Sequence, residues 1–174
     1  MVTIRNEQAA DAQAIEQLLD IAFEPSRHGR PSYRLREGVA KRDDLSLVAE
    51  VDSRLVGVVR FWPILIGDNP ALLLGPIAVH PDHEGHGIGS RLVSAGLDAA
   101  KAAGFRLVIA VGAKAYLGRF GFKPASPLGF VFPVPVDDKR FLVTELAAGA
   151  LSGAAGVIRS ARGASDKRSK RRVG

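Results

Sequence analysis

The residues best suited to chemistry lie in a glycine-rich segment that follows a long apolar run. Gly85, Gly87 and Gly89 stand at alternate positions, a few residues after Val79. Glycine lets the backbone approach a ligand without interference from a Cβ atom. A helix that begins directly after such a segment offers free N–H groups and a partial positive charge. The pattern therefore favours a phosphate site, with a tight strand-to-helix connection that binds no ligand as the alternative.

The spacing of these glycines argues against two common nucleotide-binding sites. The segment lacks the Lys-Ser/Thr pair of a P-loop, so hydrolysis of a nucleoside triphosphate is not expected. Its glycines follow the pattern G-x-G-x-G, whereas a dinucleotide-binding fold uses G-x-G-x-x-G. The hairpins predicted before the segment also disfavour a Rossmann-type half.

Three histidines in the same region raise the question of a metal site. His80, His83 and His86 recur every three residues, with Asp82 and Glu84 between them. Metal ligands need a fixed geometry, however, and this run crosses a glycine segment that already suits an anion. We therefore expect no metal. His80 is also a candidate base, because the unperturbed pKa of imidazole lies near neutrality.

The composition excludes several classes of protein. The chain has 174 residues and no cysteine, and this length corresponds to one domain at about 100–200 residues per domain. Cysteine nucleophiles, zinc ribbons, iron–sulfur clusters and disulfides are excluded. No apolar run approaches the roughly 18 residues of a membrane span, and the first residues contain no apolar core of a signal peptide. We expect a cytoplasmic protein.

The net charge of +6 originates in the C-terminal segment. Residues 159–174 contain one acidic residue, whereas the acids and bases of the rest of the chain balance. The basic residues of this segment are Arg159, Arg162, Lys167, Arg168, Lys170, Arg171 and Arg172. Their density predicts a disordered tail. Such a tail can make weak, salt-sensitive contacts with nucleic acid or another anionic surface, and a purely solubilising tail is the alternative.

Hydrophobic periodicity predicts elements in an order typical of a mixed α/β sheet in one domain. The predicted helices, the first with Asn6 as its N-cap, cover residues 7–23, 32–40, 88–103 and 113–120. The predicted strands cover residues 2–4, 45–51, 55–66, 71–79, 106–111 and 141–146. Gly75 and Pro76 interrupt the fourth of these strands, and because proline cannot donate to a ladder, the strand must bulge or splay there.

Two segments of the chain resemble the GNAT family of acetyl-CoA-dependent N-acetyltransferases. Residues 77–82 (IAVHPD) lead into residues 84–89 (EGHGIG), which resemble the family's Gln/Arg-x-x-Gly-x-Gly/Ala signature. Further along the chain, residues 116–122 (YLGRFGF) are similar to the aromatic segment of a small bacterial branch of the family. The resemblance covers residues 2–146 and leaves residues 147–158 as a C-terminal extension. It implies a mostly antiparallel central sheet with one splayed strand and flanking helices.

The resemblance also implies that acetyl-CoA is the cosubstrate and that its acyl group passes to a primary amine by direct attack. The backbone amides of the glycine segment would hold the CoA pyrophosphate, on Glu84, Gly85, His86, Gly87, Ile88, Gly89 and Ser90. The end of the preceding strand would pair with the pantetheine arm and polarise the thioester carbonyl, on Ile77, Ala78 and Val79. Arg91 would either meet a phosphate or remain solvated.

Two residues depart from the family pattern. Glu84 takes the place of the family's Gln or Arg, so CoA binding should be weaker. Leu117 takes the place of the tyrosine that commonly acts as the general acid, and Tyr116 lies about a quarter-turn away on a helix. Tyr116 is therefore either the acid or a packing aromatic. Both departures also favour a rival function, a CoA-binding sensor or adaptor domain with little catalytic activity.

The acceptor side of the reaction has fewer signals. Glu50, near a strand end, is a candidate for removing the proton of the incoming ammonium. Glu24 and His28 lie on the loop where the GNAT family usually shapes its acceptor site, and Trp62 could contribute from a strand. The sequence leaves the amine unidentified and the oligomeric state open between monomer and homodimer.

Overall fold

One sheet of nine strands organises the part of the chain that the computed structural model describes, residues 1–23 and 25–162. The strands are β1 Val2–Asn6, β2 Leu47–Val51, β3 Arg54–Ile66, β4 Asn69–Val79, β5 Leu107–Val111, β6 Lys123–Pro124, β7 Phe130–Val131, β8 Phe141–Glu145 and β9 Gly156–Ser160. The α-helices are α1 Ala12–Ala22, α2 Pro31–Arg36, α3 Ile88–Ala102 and α4 Lys114–Leu117. Short 3-10 turns lie at Ala9–Asp11, Pro25–Gly29, Pro81–His83, Gly118–Phe120 and Ser126–Leu128.

The strand order is β1-β2-β3-β4-β5-β8-β6, with β9 joined to β3 and β7 joined to β9. Strands β4 and β5 run parallel, and α3 is the connection between them. The other pairs along the main path are antiparallel. The predicted mixed α/β fold, with a mostly antiparallel sheet and flanking helices, is therefore confirmed.

Helices α1 and α3 pack on opposite faces of this sheet. Val48 on β2 belongs to the buried cluster that includes α1, whereas its neighbours Leu47 and Ala49 belong to the cluster that includes α3. This alternation follows from the period of two along a strand. Helix α3 approaches the sheet at Gly96, where a Cβ atom would lie 2.5 Å from a ring carbon of Phe61.

Strands β4 and β5 separate halfway along their length. Their pairing ends at Leu74 and Ala110, while β4 continues beside β3 as far as Val79. The β3–β4 register shifts where Gly75 and Pro76 interrupt β4. The predicted irregularity is therefore confirmed, and it leaves one edge of β4 free of β5.

The first two helices differ in their bounds from the prediction. Asn6 is the last residue of β1, so its assignment as an N-cap is wrong. After β1 the Glu7 N–H donates to the Ser46 carbonyl at 2.9 Å, and a 3-10 turn at Ala9–Asp11 precedes α1. Helix α2 ends four residues earlier than predicted, before Gly38 with its φ of +69°. Among the described residues, none of the helices has the length and hydropathy needed to cross a membrane.

Strand β9 was not predicted. Its Ile158 is fully buried and pairs with Ile66 of β3. Arg159 donates from Nη2 to the Gly67 carbonyl at 2.7 Å. The prediction of disorder is therefore wrong for Arg159 and Ser160, and the rest of the predicted tail beyond Arg162 lies outside the described residues.

Candidate active site

A cleft of about 880 Å³ opens where β4 leaves β5. Its walls come from α2, the second half of β4, the first turn of α3, the end of β5 and α4. Nearly all of the residues that the sequence predicted to bind CoA are part of the lining, namely Ile77, Ala78, Val79, Glu84, Gly85, Gly87, Ile88, Gly89 and Ser90. His86 is exposed and is not part of it.

The glycine segment has a backbone that only glycine adopts readily. Gly85 and Gly87 have φ angles of +80° and +76°, in the left-handed region that side chains with a Cβ disfavour. Apart from the glycine itself and its two chain neighbours, no atom of the described residues lies within 4 Å of where a Cβ would stand on either residue. The backbone therefore faces open space, as a cradle for a ligand requires.

The first turn of α3 closes this cradle. The Arg91 N–H donates to the Gly87 carbonyl at 3.0 Å, and Gly87 supplies no side-chain cap. The N–H groups of Ile88, Gly89 and Ser90 precede the first helical bond and are free for an outside acceptor. Because the positive end of the helix dipole lies here too, the geometry suits an anion.

The free edge of β4 offers a second set of backbone donors and acceptors. The His80 N–H donates to the Val56 carbonyl of the strand before it at 2.8 Å, and Ala78 pairs with Val58. Backbone groups alternate in direction along an antiparallel pair. The N–H and C=O groups of Ile77 and Val79 therefore point away from β3 and into the cleft.

Tyr116 and Leu117 both line the cleft. The Tyr116 hydroxyl lies against the first turn of α3, 2.8 Å from where a Cβ of Gly89 would stand. The Arg119 guanidinium lies 4.7 Å from the centre of the Tyr116 ring, and the Phe120 ring makes an edge contact at 5.7 Å. The quarter-turn between the two residues thus places the Tyr116 hydroxyl at the end of the cleft formed by the first turn of α3.

The other predicted catalytic residues lie elsewhere. Glu50 accepts from Arg5 at 2.6 Å on the β1–β2 side of the sheet and is not among the residues that line the cleft. His80 is also outside the lining, and its Nδ1 accepts from the Asp82 N–H at 3.1 Å. This bond makes His80 the cap of the Pro81–His83 turn. Within the described ranges, no group of three potential ligands is placed to hold a metal ion.

Arginines dominate the charged part of the lining, and sequence reasoning gave them no role. They are Arg27, Arg30, Arg36, Arg119 and Arg140, against the acids Glu84 and Asp137. Arg27 is paired with Glu16 and Asp20 outside the lining, and the other arginines leave an excess of positive charge that suits an anionic ligand. Arg91 is exposed and outside the lining. The sequence does hold one signal for Arg36: it lies three residues after Tyr33, and residues three apart share one face of a helix.

A second cavity of about 220 Å³ adjoins the cleft. It contains His28 and Trp62, two of the residues predicted to shape an acceptor pocket, while the third, Glu24, lies outside the described residues. The two cavities share Tyr33, Arg36 and Pro76 in their walls. The structure therefore brings the predicted acceptor residues next to the predicted CoA residues.

Comparison with known proteins identifies relatives along most of the chain. The uncharacterized N-acetyltransferase YhbS of Escherichia coli K12 is 32% identical over 89% of this chain and 93% of its own length. The uncharacterized N-acetyltransferase YjhQ of the same organism is 30% identical over 75% of each chain.

Solved structures of such proteins share the fold. YhbS of Escherichia coli in complex with CoA superposes with a TM-score of 0.79 at 32% identity, over 90% of this chain and 88% of its own. A GNAT family acetyltransferase from Brucella melitensis in complex with acetyl-CoA gives a TM-score of 0.67 at 30% identity, over 91% and 95% of the two chains. The Acetyltransferase (GNAT) family pattern matches residues 12–122, and the chain belongs to this family of N-acetyltransferases.

Proposed function

We propose that this enzyme transfers the acetyl group of acetyl-CoA to a primary amine by direct attack. The observation that carries the proposal is the cleft in which the free edge of β4 meets the uncapped first turn of α3. The relatives from Escherichia coli and Brucella melitensis, whose structures contain CoA and acetyl-CoA, support the choice of cosubstrate.

Successive parts of the cleft suit successive parts of the CoA molecule. The cradle of Gly85 and Gly87, with the free N–H groups of Ile88 to Ser90, suits the pyrophosphate. The edge of β4 from Ile77 to Val79 suits the amides of the pantetheine arm, which would add to the sheet as an extra strand. Acetyl-CoA supplies an activated acyl group when it is bound there.

In this proposal the protein contributes hydrogen-bond donors and no nucleophile. The N–H groups of Ile77 and Val79 are held by the β3–β4 ladder, so they can stabilise a carbonyl oxygen that becomes negative without reorganising. Neither Glu50 nor His80 lines the cleft, so in this proposal the proton of the ammonium passes to water. Leu117 has no proton to donate, and the thiolate leaves without a protein acid, which a thiol pKa of about 8.5 permits.

A second candidate function is a CoA-binding sensor with little turnover, which Leu117 and Glu84 favour. Two measurements separate it from the enzyme. Acetyl-CoA should raise the melting temperature, and a panel of primary amines should release free thiol faster than acetyl-CoA is hydrolysed without amine. Stabilisation by acetyl-CoA with no amine-dependent thiol release would favour the sensor.

The residues beyond Arg162 provide a separate prediction about partners. Their bases, Lys167, Arg168, Lys170, Arg171 and Arg172, outnumber the one acid, Asp166. We expect the full chain to bind a labelled oligonucleotide with an affinity that falls at least about tenfold between about 50 and 200 mM salt. Truncation after Arg162 spares β9 and should abolish this binding while leaving acetyl transfer unchanged. Fluorescence anisotropy measures the binding, and a full chain that fails to bind at low salt would indicate a solubilising segment.

A further inference from the structure

Arg36 is a largely buried charge that lines both cavities and has no ion-pair partner among residues 1–23 and 25–162. Its Nε atom is buried without a hydrogen-bond partner in that part of the chain. Its Nη2 atom makes one long contact, 3.4 Å from the Ser32 hydroxyl. A buried guanidinium without a carboxylate is costly, so a ligand that supplies one would explain its presence.

Two neighbouring arginines, Arg60 and Arg27, are already neutralised. Arg60, in the wall of the smaller cavity, donates from Nη2 to the Glu7 carboxylate at 2.8 Å. Arg27 pairs with Glu16 at 2.8 Å and also with Asp20. Burial, and to a smaller extent the charges of Arg60 and Arg30, lower the pKa of Arg36 to about 10, so it remains charged at neutral pH.

Aromatic rings hold the Arg36 guanidinium in place. Its central carbon lies 4.7 Å from the centre of the Tyr33 ring and 5.7 Å from that of Trp62. The Trp62 ring is fixed in turn, because its Nε1 donates to the Gly75 carbonyl at 2.7 Å. Aromatic contacts satisfy the charge in part, but among the described residues they leave Nε without a partner and Nη2 with only its long contact to Ser32. The planar fork of the guanidinium N–H groups matches the two oxygens of a carboxylate.

Arg36 lies at the end of the cleft where the acyl group of the cosubstrate would be. Its Nη2 atom lies 3.2 Å from where a Cβ of Gly75 would stand, at the point where β4 leaves β5. The phosphate cradle lies beyond Val79, at the other end of the free edge of β4. The acyl end of a pantetheine arm laid along this edge therefore extends towards Arg36. The smaller cavity, about 220 Å³, is below the roughly 300 Å³ of pockets for drug-sized ligands.

We propose that the acceptor is a small amino acid, whose carboxylate binds the Arg36 guanidinium and whose amine is thereby held beside the acyl group. The inference rests on the proposed use of the cleft for acetyl-CoA. The amine nitrogen forms a bond to the acetyl carbonyl carbon, the carbon–sulfur bond breaks, and the sulfur leaves as the CoA thiolate. The proton lost by the amine goes to water, and the products are an N-acetyl amino acid and CoA.

The test compares common L-amino acids with their α-carboxamides, which keep the amine and side chain but lack the negative charge. Thiol release gives kcat/KM for each probe, and calorimetry gives its affinity for the CoA-saturated protein. We expect at least one amino acid to exceed its carboxamide by roughly 10- to 100-fold, the range expected for a hydrogen bond between charged groups. Phosphoethanolamine is included as an amine with a different anion.

Arg36→Gln should remove this preference for the carboxylate, because it should lower kcat/KM for the amino acids far more than for the carboxamides. Arg36→Lys should restore it in part, because lysine keeps the charge without the planar fork. Arg34→Gln is the matched control, since Arg34 lies on the same helix, is exposed and lines neither cavity. Arg36→Gln should keep or raise the melting temperature, because it removes an unpaired buried charge. A merely structural role for Arg36 would lower the melting temperature and leave the preference intact.

The outcomes distinguish this inference from the function on which it rests. If carboxamides or phosphoethanolamine match or exceed every amino acid, or Arg36→Gln leaves the preference unchanged, the inference is overturned while acetyl transfer stands. If no probe releases thiol, the proposed enzyme function fails. Calorimetry then decides the role of Arg36 alone: amino-acid binding that Arg36→Gln abolishes supports the carboxylate site, and absence of binding overturns it.

Discussion

Gly87→Ala is expected to weaken CoA binding by at least about tenfold, the equivalent of one or two lost hydrogen bonds. Gly87 lines the cleft and has a φ of +76°, and a Cβ on it would have no atom within 4 Å from the described residues other than Gly87 and its chain neighbours. The methyl group would therefore stand where a phosphate approaches the backbone. The strained φ would also turn the N–H groups of the first turn of α3 away from that phosphate. Isothermal titration of the folded variant with CoA measures the loss.

The same helix provides a matched control for backbone strain. Gly104 follows the other end of α3, has a φ of +91° and also has no atom of the described residues within 4 Å of its Cβ position. Gly87→Ala and Gly104→Ala should therefore lower the free energy of unfolding by a similar amount, about 1–2 kcal/mol each. Only Gly87→Ala should weaken CoA binding. Equal CoA affinity in the two variants would contradict the assignment of the cradle.

The backbone conformation of the glycine segment could be predicted from the sequence because its cause is local. Gly85 and Gly87 need no distant partner to adopt a positive φ, and the helix that follows them is strongly periodic. The irregularity at Gly75 and Pro76 was predictable for the same reason, since a proline removes a donor wherever it stands in a strand. Local chemistry thus located the half of the cleft that suits CoA.

The acceptor half depends on contacts between distant parts of the chain. Arg36 reaches Trp62 and Gly75 only after α2 folds over β3 and β4, and no spacing rule relates these positions. Glu50 shows how a distant contact can also remove a predicted role. As a strand-end carboxylate it was expected to be free to accept a proton, but Arg5, 45 residues away, donates to it. The sequence pattern did not predict β9, because the short apolar core of this strand around Ile158 runs directly into the basic segment that predicts disorder.

The largest gain in activity is expected from Leu117→Tyr. Leu117 lines the cleft with a side chain that is nearly fully buried. If its position corresponds to the tyrosine that the resemblance to the family implies, a phenol there would offer a proton to the departing thiolate. A positioned acid contributes about 10²–10⁴-fold. Because a thiol leaves tolerably as its anion, we expect kcat to rise by roughly 10- to 100-fold, at or below the lower end of that range. The variant is assayed with an acceptor that the wild-type enzyme acetylates, after circular dichroism shows that it is folded.

Tyr116→Phe provides the matched comparison for this prediction. The Tyr116 hydroxyl lies against Gly89 in the first turn of α3, where the phosphates are proposed to bind, so its removal should raise KM for acetyl-CoA. The loss of about one neutral hydrogen bond corresponds to roughly fivefold, and kcat should fall less than about tenfold. If Tyr116 turns towards the sulfur and serves as the acid, the pattern reverses: Tyr116→Phe would lower kcat tenfold or more, and Leu117→Tyr would give no gain. The split between kcat and KM in the two variants therefore identifies which residue faces the leaving group.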